Sequence, residues 1–600
     1  MDTYDKSFYY SQKSKTLEFE LKKFKKKGSL FYLLRLFSFL GFIASAIIFV
    51  VSEYNFFYLL GSIFLISLFL YAVQSDFQLN RKRRLVEAKI SVAENELKYL
   101  NHQYTEFDGG ERFTSKNPHL AGDFDLFGNG SLYQYLNRCV TSHGNELLAD
   151  CLSFAEKNTS KIIENQEAIK ELSENIEFIT EFRANGLAVD CENDDIEGFN
   201  QWLNEPDENI KILKTISWVY PILFLINAVL ISLEILPLKT LFVFFIFAFY
   251  TAFYHYKKRI DKAHDKLAKS GKIFKKYAVL INLIEQEKFL SKKLTELQKR
   301  LQNNCENASK IITSLYKLIN RFDLRNNMLI QFIFNFVFLF DLHIYQQLYY
   351  WKIKQKDKVS DWFKVVSEID VLTSFAVFAF NCFNEVSYPE ISTEIFVFEA
   401  VELGHPLIQP SERINNDVKF TGKPSVMIIT GANMAGKSTF LRTLAVNLIL
   451  AKNGSPVCAK RLVFKPCDIM SNINVRDSLK EKASYFYAEL LRIREIIEHV
   501  EKEPDTLVIL DEILRGTNTK DKQAGSLGLL EKLISLNANA IIATHDLIIG
   551  ELDKKYPEIV TNHCFESELE NDALIFDYKL KNGVSKKLNA SFLMKKMGII

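Results

Sequence analysis

The chain has 600 residues, more than one hydrophobic core usually contains, and this length predicts two or more domains. Its 75 basic and 73 acidic residues leave a net charge of +2, which argues against the strongly basic surface of a dedicated nucleic-acid binder. Fifty phenylalanines and an aromatic content of 13% indicate either membrane contact or an unusually large core. The eight cysteines are scattered without a C-x-x-C pair, which favours reduced, cytosolic thiols.

Two apolar runs near the N-terminus predict a transmembrane helical hairpin over residues 30–76. A cytosolic, Lys-rich segment, 1–29, precedes it, and no cleavable signal peptide is expected there. The first run, 30–51, is long enough to span a bilayer and is interrupted only by Arg35 near its start. Lys and Arg crowd both outer ends of the hairpin and are missing from its turn, so both ends are expected in the cytoplasm. The alternative is a buried helix pair of a soluble protein.

Residues 77–213 predict the first part of a cytosolic helical domain. Apolar residues recur at helical spacing in three stretches, 85–106, 119–152 and 160–183. His119 and His143 lie among ordinary helix and cap residues, which favours structural roles over metal binding.

A second apolar block predicts another transmembrane hairpin, over residues 214–256. Its two runs, 216–233 and 241–254, are again flanked by Lys and Arg, which places both ends in the cytoplasm. The second run is short for a span.

Residues 257–390 predict the second part of the helical domain. The stretch 260–320 is charged and almost free of Gly and Pro, which is typical of a long antiparallel helix pair. The apolar stretch 328–340 is too short to cross a bilayer and contains Asn335, so we expect a core helix there. Short β-type runs then begin and predict a further domain, 391–600.

A glycine-bounded loop in this last domain predicts a nucleotide-binding site. Residues 425–430 form a strand candidate, 431–438 fit G-x-x-x-x-G-K-[ST], and 439–451 form an amphipathic helix. In such a loop, backbone N–H groups and the helix N-terminus cradle phosphates. Lys437 would reach the β- and γ-phosphates, and the Ser438 hydroxyl would ligate Mg²⁺. The predicted phosphate-binding residues are Gly431, Ala432, Asn433, Met434, Ala435, Gly436, Lys437, Ser438 and Thr439.

Three later stretches have the chemistry that such a loop needs. A buried strand candidate, 506–510, ends in Asp511, which would hold Mg²⁺ through water, and Glu512, which would polarise the attacking water. The strand candidate 540–543 delivers His545 to the same sheet edge, where it can sense the γ-phosphate, although a lone His is more often structural. Ser484 would offer its hydroxyl and a helix N-terminus to a phosphate of a facing subunit.

These motifs resemble those of the MutS family of ABC-class ATPases. The loop TGANMAGKSTFLR is similar to the family's TGPNMGGKST, and DEILRGTNT at 511–519 is similar to DEIGRGTST. Residues 543–545 match the family's A-T-H, and the S-x-F-x-x-E of its signature helix is present as Ser484, Phe486 and Glu489. Upstream, SLYQYLNRCVTSHGNELLADCL and SEIDVLTSFAVFA resemble the two halves of the family's helical core and lever domain.

The resemblance implies a multi-domain fold: an α-helical core and lever domain, here with two transmembrane hairpins, and a C-terminal α/β P-loop ATPase domain. It implies a homodimer that hydrolyses ATP with Mg²⁺, with Glu512, His545 and Lys437 as catalytic residues, and it links the chain to double-stranded DNA and mismatch repair. No mismatch-recognition domain is expected, and Ile414 stands where the family usually has an adenine-stacking aromatic. The expected location is a bacterial-type cytoplasmic membrane, with the core and ATPase domains in the cytoplasm.

Two other functions remain open from the sequence. One is an ABC-type transporter, although the hairpins carry few polar groups for a substrate path. The other is a membrane-associated switch or scaffold that does not recognise mismatches. The position of the second hairpin favours such a switch, because it is inserted between the two halves of the lever domain and would end the levers in the bilayer.

Overall fold

The computed structural model of the chain describes residues 3–154, 156–189, 197–206, 211–303, 306–382, 384–393, 396–432, 434–473, 485–515, 517–570 and 573–585. The helices before residue 390 are α1 (Thr3–Val51), α2 (Phe56–Leu100), α3 (Pro118–Asp123), α4 (Leu132–Leu136), α5 (Ser142–Ser153), α6 (Thr159–Glu174), α7 (Ile176–Ala188), α8 (Glu197–Leu203), α9 (Lys211–Ser232), α10 (Thr240–Ala248), α11 (Lys257–Leu267), α12 (Gly271–Gln286), α13 (Lys292–Arg300), α14 (Ala308–Phe322), α15 (Met328–Phe338) and α16 (Phe340–Asn381).

The later helices are α17 (Lys437–Lys452), α18 (Tyr485–Lys502), α19 (Thr519–Ser535) and α20 (Leu552–Lys555). The strands are β1 (Gln302–Asn303), β2 (Glu306–Asn307), β3 (Glu390–Ile391), β4 (Val397–Leu403), β5 (Asn416–Thr421), β6 (Ser425–Gly431), β7 (Arg461–Phe464), β8 (Asp468–Asn472), β9 (Thr506–Asp511), β10 (Asn539–Thr544), β11 (Val560–Glu570) and β12 (Ala573–Asn582).

Helices α1 and α2 form a long antiparallel hairpin. Asn55 begins α2 by accepting a hydrogen bond from the N–H of Phe57 at 3.0 Å. Arg35, the charge inside the first apolar run, pairs with Asp76 on the neighbouring helix at 3.0 Å. Both helices are long and apolar enough to cross a membrane, and the apolar side chains point away from the described protein. A pair buried inside a soluble protein does not fit this exposure.

The second hairpin consists of α9, which is also long enough to cross a membrane, and the shorter α10. A π-helix, Phe249–His255, continues α10. The polar groups between the two helices are paired with each other, since the Asn227 side-chain amide donates to the Thr240 hydroxyl at 3.1 Å. The outward side chains are apolar.

Helix α15 differs from its predicted role as a core helix. It packs on the second hairpin, where the Phe332 and Phe245 ring centroids lie 5.9 Å apart and Tyr220 donates to the Phe336 carbonyl at 2.7 Å. Most of its described apolar side chains are exposed, Met328 by 84%. Asn335, which weighed against a membrane location, is buried and accepts a hydrogen bond from the N–H of Asp341. The outer face of α15 therefore continues the apolar surface of the hairpin.

The stretch 260–320 is also not the predicted pair of long helices. It contains α11, α12, α13 and α14, with a short hairpin of β1 and β2 before the last of them. Helices α12 and α14 pack on each other and on α16. The breaks shorten the helices so that each can bury its apolar side against α16 or its neighbours.

The single helix α16 connects the second hairpin with the C-terminal domain. It has 42 residues, or about 60 Å at 1.5 Å per residue. It starts directly after Leu339, a buried residue whose φ of 48° turns the chain sharply out of α15. Its C-terminal half is almost completely buried between the other helices.

A buried ion cluster fastens the first hairpin to the end of α16. Glu96 on α2 accepts hydrogen bonds from Arg138 at 3.1 Å, from Arg183 at 2.7 Å and from the Asn381 side chain at 2.8 Å. Tyr10 on α1 donates to Asn381 at 3.0 Å. Burial raises the pKa of Glu96, but the two guanidinium groups outweigh it and hold the pKa at about 2.

The C-terminal domain is built on a six-stranded sheet in the order β12-β11-β6-β10-β9-β8, parallel except for β12. The strands β6, β9 and β10 are buried throughout, as is typical of a parallel sheet with helices on both faces. Helix α17 packs on the face that shares its core with the helical domain, and α18 and α19 pack on the other face. A separate four-stranded sheet has the order β3-β7-β4-β5.

Polar contacts join the helical domain to this sheet. Asp123 on α3 accepts hydrogen bonds from the Ser471 hydroxyl on β8 at 2.7 Å and from the N–H of Ile473. Asn453, just after α17, donates to the Cys151 carbonyl at 2.9 Å. The two domains therefore share both an apolar core and a hydrogen-bonded boundary.

Replacing Glu96 by Gln is expected to destabilise the fold by about 3–5 kcal/mol, because it leaves two buried guanidinium groups without a countercharge. Denaturant unfolding in detergent measures the loss, and Glu94→Gln on the exposed side of the same helix is the control. Since the pKa of Glu96 is lowered in the folded state, its contribution is complete at neutral pH. That contribution falls as the pH drops below the ordinary value of 4.5 towards 2. Equal stability of the two variants would contradict the role of the cluster.

Candidate nucleotide-binding site

The loop between β6 and α17 closely approaches two other strands. A Cβ on Gly431 would lie 2.7 Å from the Phe565 carbonyl oxygen on β11, and Gly436 has φ of 100°. A side chain at either position would displace backbone or strain the loop, which explains both glycines. Met434 is 82% exposed at the tip, and Asn433 lies outside the described residues. The loop ends at α17, whose first N–H groups, from Lys437, Ser438 and Thr439, have no partner within the helix.

Lys437 lies inside the loop. Its Nζ donates to the carbonyl oxygens of Gly431 at 2.8 Å and Ala432 at 2.9 Å and lies 3.8 Å from Glu512 Oε1. Burial lowers the pKa of Lys437, while the nearby carboxylates of Glu512 and Asp511 act in the opposite direction. An ammonium group in this position can contact an anion bound in the loop after only a small movement.

Ser438 and Asp511 meet beside it. The Ser438 hydroxyl donates to Asp511 Oδ2 at 2.5 Å, and Asp511 Oδ1 is buried without a hydrogen-bond partner among the described residues. Burial raises the pKa of Asp511, and the adjacent Glu512 carboxylate adds to this effect. A hydroxyl and a carboxylate with one free buried oxygen fit a hard divalent cation such as Mg²⁺.

No cluster of three or more His, Cys, Asp or Glu side chains suited to a metal ion exists among the described residues. Such a cluster is not needed for Mg²⁺, which in phosphate-binding sites takes one or two protein ligands and completes its shell with water and phosphate oxygens. The pair formed by Ser438 and Asp511 is consistent with that mode.

Glu512 occupies an unusual backbone position at the end of β9. Its φ is 47°, and its N–H donates to the Ala543 carbonyl on β10 at 2.9 Å. The carboxylate lies 3.5 Å from His545 Nδ1 and 3.5 Å from Arg515 Nε. Positive φ in a non-glycine residue costs energy and is concentrated at functional sites. Here it turns the carboxylate towards Lys437 and His545.

The structure thus brings together Lys437, Ser438, Asp511, Glu512 and His545. Their strands explain why, since β9 and β6 both pair in parallel with β10 and their carboxyl ends meet at one edge. Ser484, the residue expected to serve a facing subunit, lies outside the described residues.

Glu489 has a structural role that the motif alone did not indicate. It is buried on α18 and accepts a hydrogen bond from the N–H of Leu514 at 2.6 Å, while its Oε2 has no hydrogen-bond partner in the described part of the chain. Leu514, with φ of 59°, belongs to the segment that follows Glu512. Helix α18 is therefore tied directly to the loop next to the acidic pair.

Tyr578 on β12 is a site residue that the sequence did not indicate. The residue is 44% exposed, and a Cβ on Gly436 would lie 3.0 Å from its ring. The Asn416 side chain donates to the Tyr578 carbonyl at 3.0 Å, so Tyr578 is close to the segment that carries Ile414. No local motif marks this tyrosine, because its position depends on strand pairing across the sheet. An exposed ring beside the loop can stack on a nucleotide base.

Comparison with known protein families agrees with this arrangement. MutS domain III matches residues 114–376, and MutS domain V matches residues 427–595. These two regions contain the helical domain and the sheet with its glycine loop. The chain belongs to the MutS family.

Curated proteins that are similar to the chain have MutS names, and two of the following three are named for DNA mismatch repair. The chain is 33% identical over 251 residues to DNA mismatch repair protein MutS of Ehrlichia ruminantium (strain Gardel), covering 41% of this chain and 30% of that protein. It is 31% identical over 238 residues to DNA mismatch repair protein MutS of Staphylococcus aureus (strain JH9), covering 38% and 26%. It is 31% identical over 243 residues to MutS protein homolog 4 of Mus musculus, covering 39% and 24%. The aligned part spans less than a third of each relative.

Replacing Tyr578 by Ala is expected to weaken ATP binding about tenfold, since a base stacked on an aromatic ring loses roughly 1–3 kcal/mol without it. Tyr578→Phe keeps the ring and is expected to bind like the unchanged protein. Titration with a fluorescent ATP analogue in detergent measures both. Full affinity in the Ala variant would show that the base lies elsewhere.

Proposed function

We propose that the protein is a membrane-anchored ATPase that hydrolyses ATP to ADP and phosphate and uses this reaction to change conformation. The observation that supports it most strongly is the convergence of Lys437, the Ser438–Asp511 pair and Glu512 around the glycine loop. These groups supply a phosphate cradle, a cation-binding pair and a carboxylate for the attacking water.

The roles follow from the contacts. Loop N–H groups and Lys437 hold the β- and γ-phosphates, with Lys437 exchanging its two carbonyl partners for phosphate oxygens. Ser438 and Asp511 hold Mg²⁺, which neutralises charge on the phosphates when bound. Glu512 accepts a hydrogen bond from the attacking water and orients it towards the γ-phosphate. His545, next to Glu512, senses whether the γ-phosphate is bound.

A homodimer is the proposed working form. The loop tip at Met434 and the His545 side chain are both exposed, so one subunit leaves the γ-phosphate side of its own site open. A second subunit can close it, and Ser484 is the residue proposed to do so. This arrangement makes hydrolysis depend on how the two subunits meet.

Membrane attachment is proposed through both hairpins, with the helical and ATPase domains in the cytoplasm of a bacterial-type cell. Its support is the long apolar surface of α1, α2 and α9, flanked by Lys and Arg at the outer ends. The proposal includes α15, whose exposed apolar side continues that of α9 and α10. A transporter is less well supported, because the polar side chains between α9 and α10 are paired with each other.

ATP-dependent binding of double-stranded DNA is a second candidate function, favoured by the names of the similar MutS proteins. The net charge of +2 does not add to it. Duplex binding by the solubilised protein, with and without ATP and over a series of salt concentrations, distinguishes a DNA-dependent ATPase from a switch that acts only at the membrane.

Glu512→Gln is expected to bind ATP with unchanged affinity and to hydrolyse it at least about tenfold more slowly, since the carboxylate that orients water is lost while Ser438 and Asp511 remain. Phosphate release in nanodiscs measures turnover, and Glu558→Gln, an exposed position away from the site, is the control. Unchanged turnover in Glu512→Gln would assign water activation to another residue.

A further inference from the structure

A cleft lined by positive charge lies where the first hairpin enters the helical domain. Three adjoining cavities, of about 660, 1000 and 570 Å³, open between α2, α12 and α14 and share residues with one another. We call them together the basic cleft. Apart from Lys82 and from Arg83, which pairs with Glu87, the cations that line it are Arg81 and Arg84 on α2, Lys272 and Lys275 on α12, and Lys310 and Lys317 on α14.

These six cations have no carboxylate partner within 4.0 Å among the described residues, although ion pairs are common elsewhere in the chain. Two described carboxylates in or beside the cleft, Glu87 on its wall and Glu285 next to it, are already paired. Glu87 pairs with Arg83 at 3.6 Å, and Glu285 accepts hydrogen bonds from the N–H and hydroxyl of Ser309. Among the described residues, the cleft therefore has an excess of positive charge that no neighbouring carboxylate neutralises.

Lys275 lies at the meeting point of the three cavities. Burial lowers its pKa, and the positive charges of Arg81 and Arg84 lower it further. Like charges held this close repel one another in the folded protein, and a bound anion would relieve the repulsion.

The position of the cleft indicates which anion. Arg81 lies eight residues beyond Val73, the end of the second apolar run, or about 12 Å along the helix. Between them, Phe77 lines the rim and is 69% exposed. The cleft thus adjoins the end of a candidate span and combines cations with an apolar rim, at the depth where lipid headgroups lie.

We propose that the basic cleft binds the phosphate headgroup of an anionic phospholipid, with the acyl chains lying against Phe77 and the apolar face of α2. Six cations spread over three cavities suit a lipid with two phosphates, such as cardiolipin, better than one with a single phosphate. A DNA duplex fits less well, because the cleft adjoins the apolar run of the first hairpin and has the exposed Phe77 on its rim. The proposal rests on the proposed membrane attachment and is independent of ATP hydrolysis.

Bound lipid would also influence the position of α16. Helices α12 and α14, which carry four of the six cations, both pack on α16. A headgroup bridging them to Arg81 and Arg84 fixes the first hairpin against the helices that support α16.

The test uses the full chain, purified in a mild detergent, and counts bound cardiolipin by native mass spectrometry during titration. The cleft variant carries Arg81→Gln, Arg84→Gln and Lys275→Gln. The matched control carries Lys22→Gln, Lys25→Gln and Lys26→Gln, which remove the same charge from exposed positions at the same end of the first hairpin. We expect the cleft variant to lose at least about tenfold in cardiolipin affinity and the control to bind like the unchanged protein.

Further measurements distinguish binding of a lipid headgroup from binding of inorganic phosphate or DNA. Lys275→Arg keeps the charge and is expected to retain binding, and thermal unfolding checks that each variant is folded. Equal loss in the cleft and control variants would overturn the proposal, because it would indicate general attraction to charge. Displacement of the lipid by millimolar inorganic phosphate, or by a short DNA duplex, would assign the cleft to that ligand instead. Failure of the unchanged protein to enter vesicles would overturn the membrane attachment as well, whereas normal insertion without preference for cardiolipin overturns the cleft alone.

Discussion

Apolar side chains that the protein leaves uncovered constrain the rest of this structure. Helices α1, α2, α9, α10 and α15 present Phe, Leu and Ile on surfaces that no other described element covers. Exposed apolar surface of this extent is unfavourable in water, and it is the main support for the proposed attachment to a bilayer. The polar groups among these helices are paired internally, as Arg35 with Asp76 and Asn227 with Thr240 illustrate. If these helices lie in a membrane as proposed, that location also fixes the orientation of the helical domain and of the candidate nucleotide site.

The same apolar surface bears on the role of α16, because this long helix is attached to other parts of the protein at both ends. Its N-terminal end leaves α15 at Leu339, and its C-terminal end is bound to the Glu96 cluster, to which the first hairpin also contributes. The nucleotide site is joined to the helical domain through Asp123 and through the core that α17 shares with it. A movement at Glu512 has a packed route to α18 through Glu489 and Leu514, and the helical domain supplies the rest of the path to the hairpins.

The sequence predicted local features well and long-range ones less well. The strands 425–430, 506–510 and 540–543 and the loop at 431–438 could be recognised because phosphate binding requires a short, contiguous pattern. The prediction of a core helix at 328–340 is wrong. From the sequence alone, Asn335 disfavours an exposed apolar helix, but it is buried and accepts a hydrogen bond from the N–H of Asp341, across a turn that the sequence pattern does not show. The stretch 260–320 predicts two long helices because its composition contains no signal for the breaks between α11, α12, α13 and α14. Those breaks depend on how the helices pack on α16 and on each other. Tyr578 reaches the loop by strand pairing, so no pattern in its own neighbourhood identifies it.

We propose that ATP binding moves α15, the helix whose exposed apolar face continues that of the second hairpin. The most direct measurement places a fluorophore at Ile333→Cys on α15, in the Glu512→Gln background and in nanodiscs, with protein lacking that cysteine as the blank. Quenching by lipid-attached groups at several depths is then recorded with and without ATP. We expect lipid-attached groups to quench the fluorophore in both conditions and the depth profile to change when ATP binds. An identical depth profile in the two conditions, with ATP binding verified in the same sample, would contradict it.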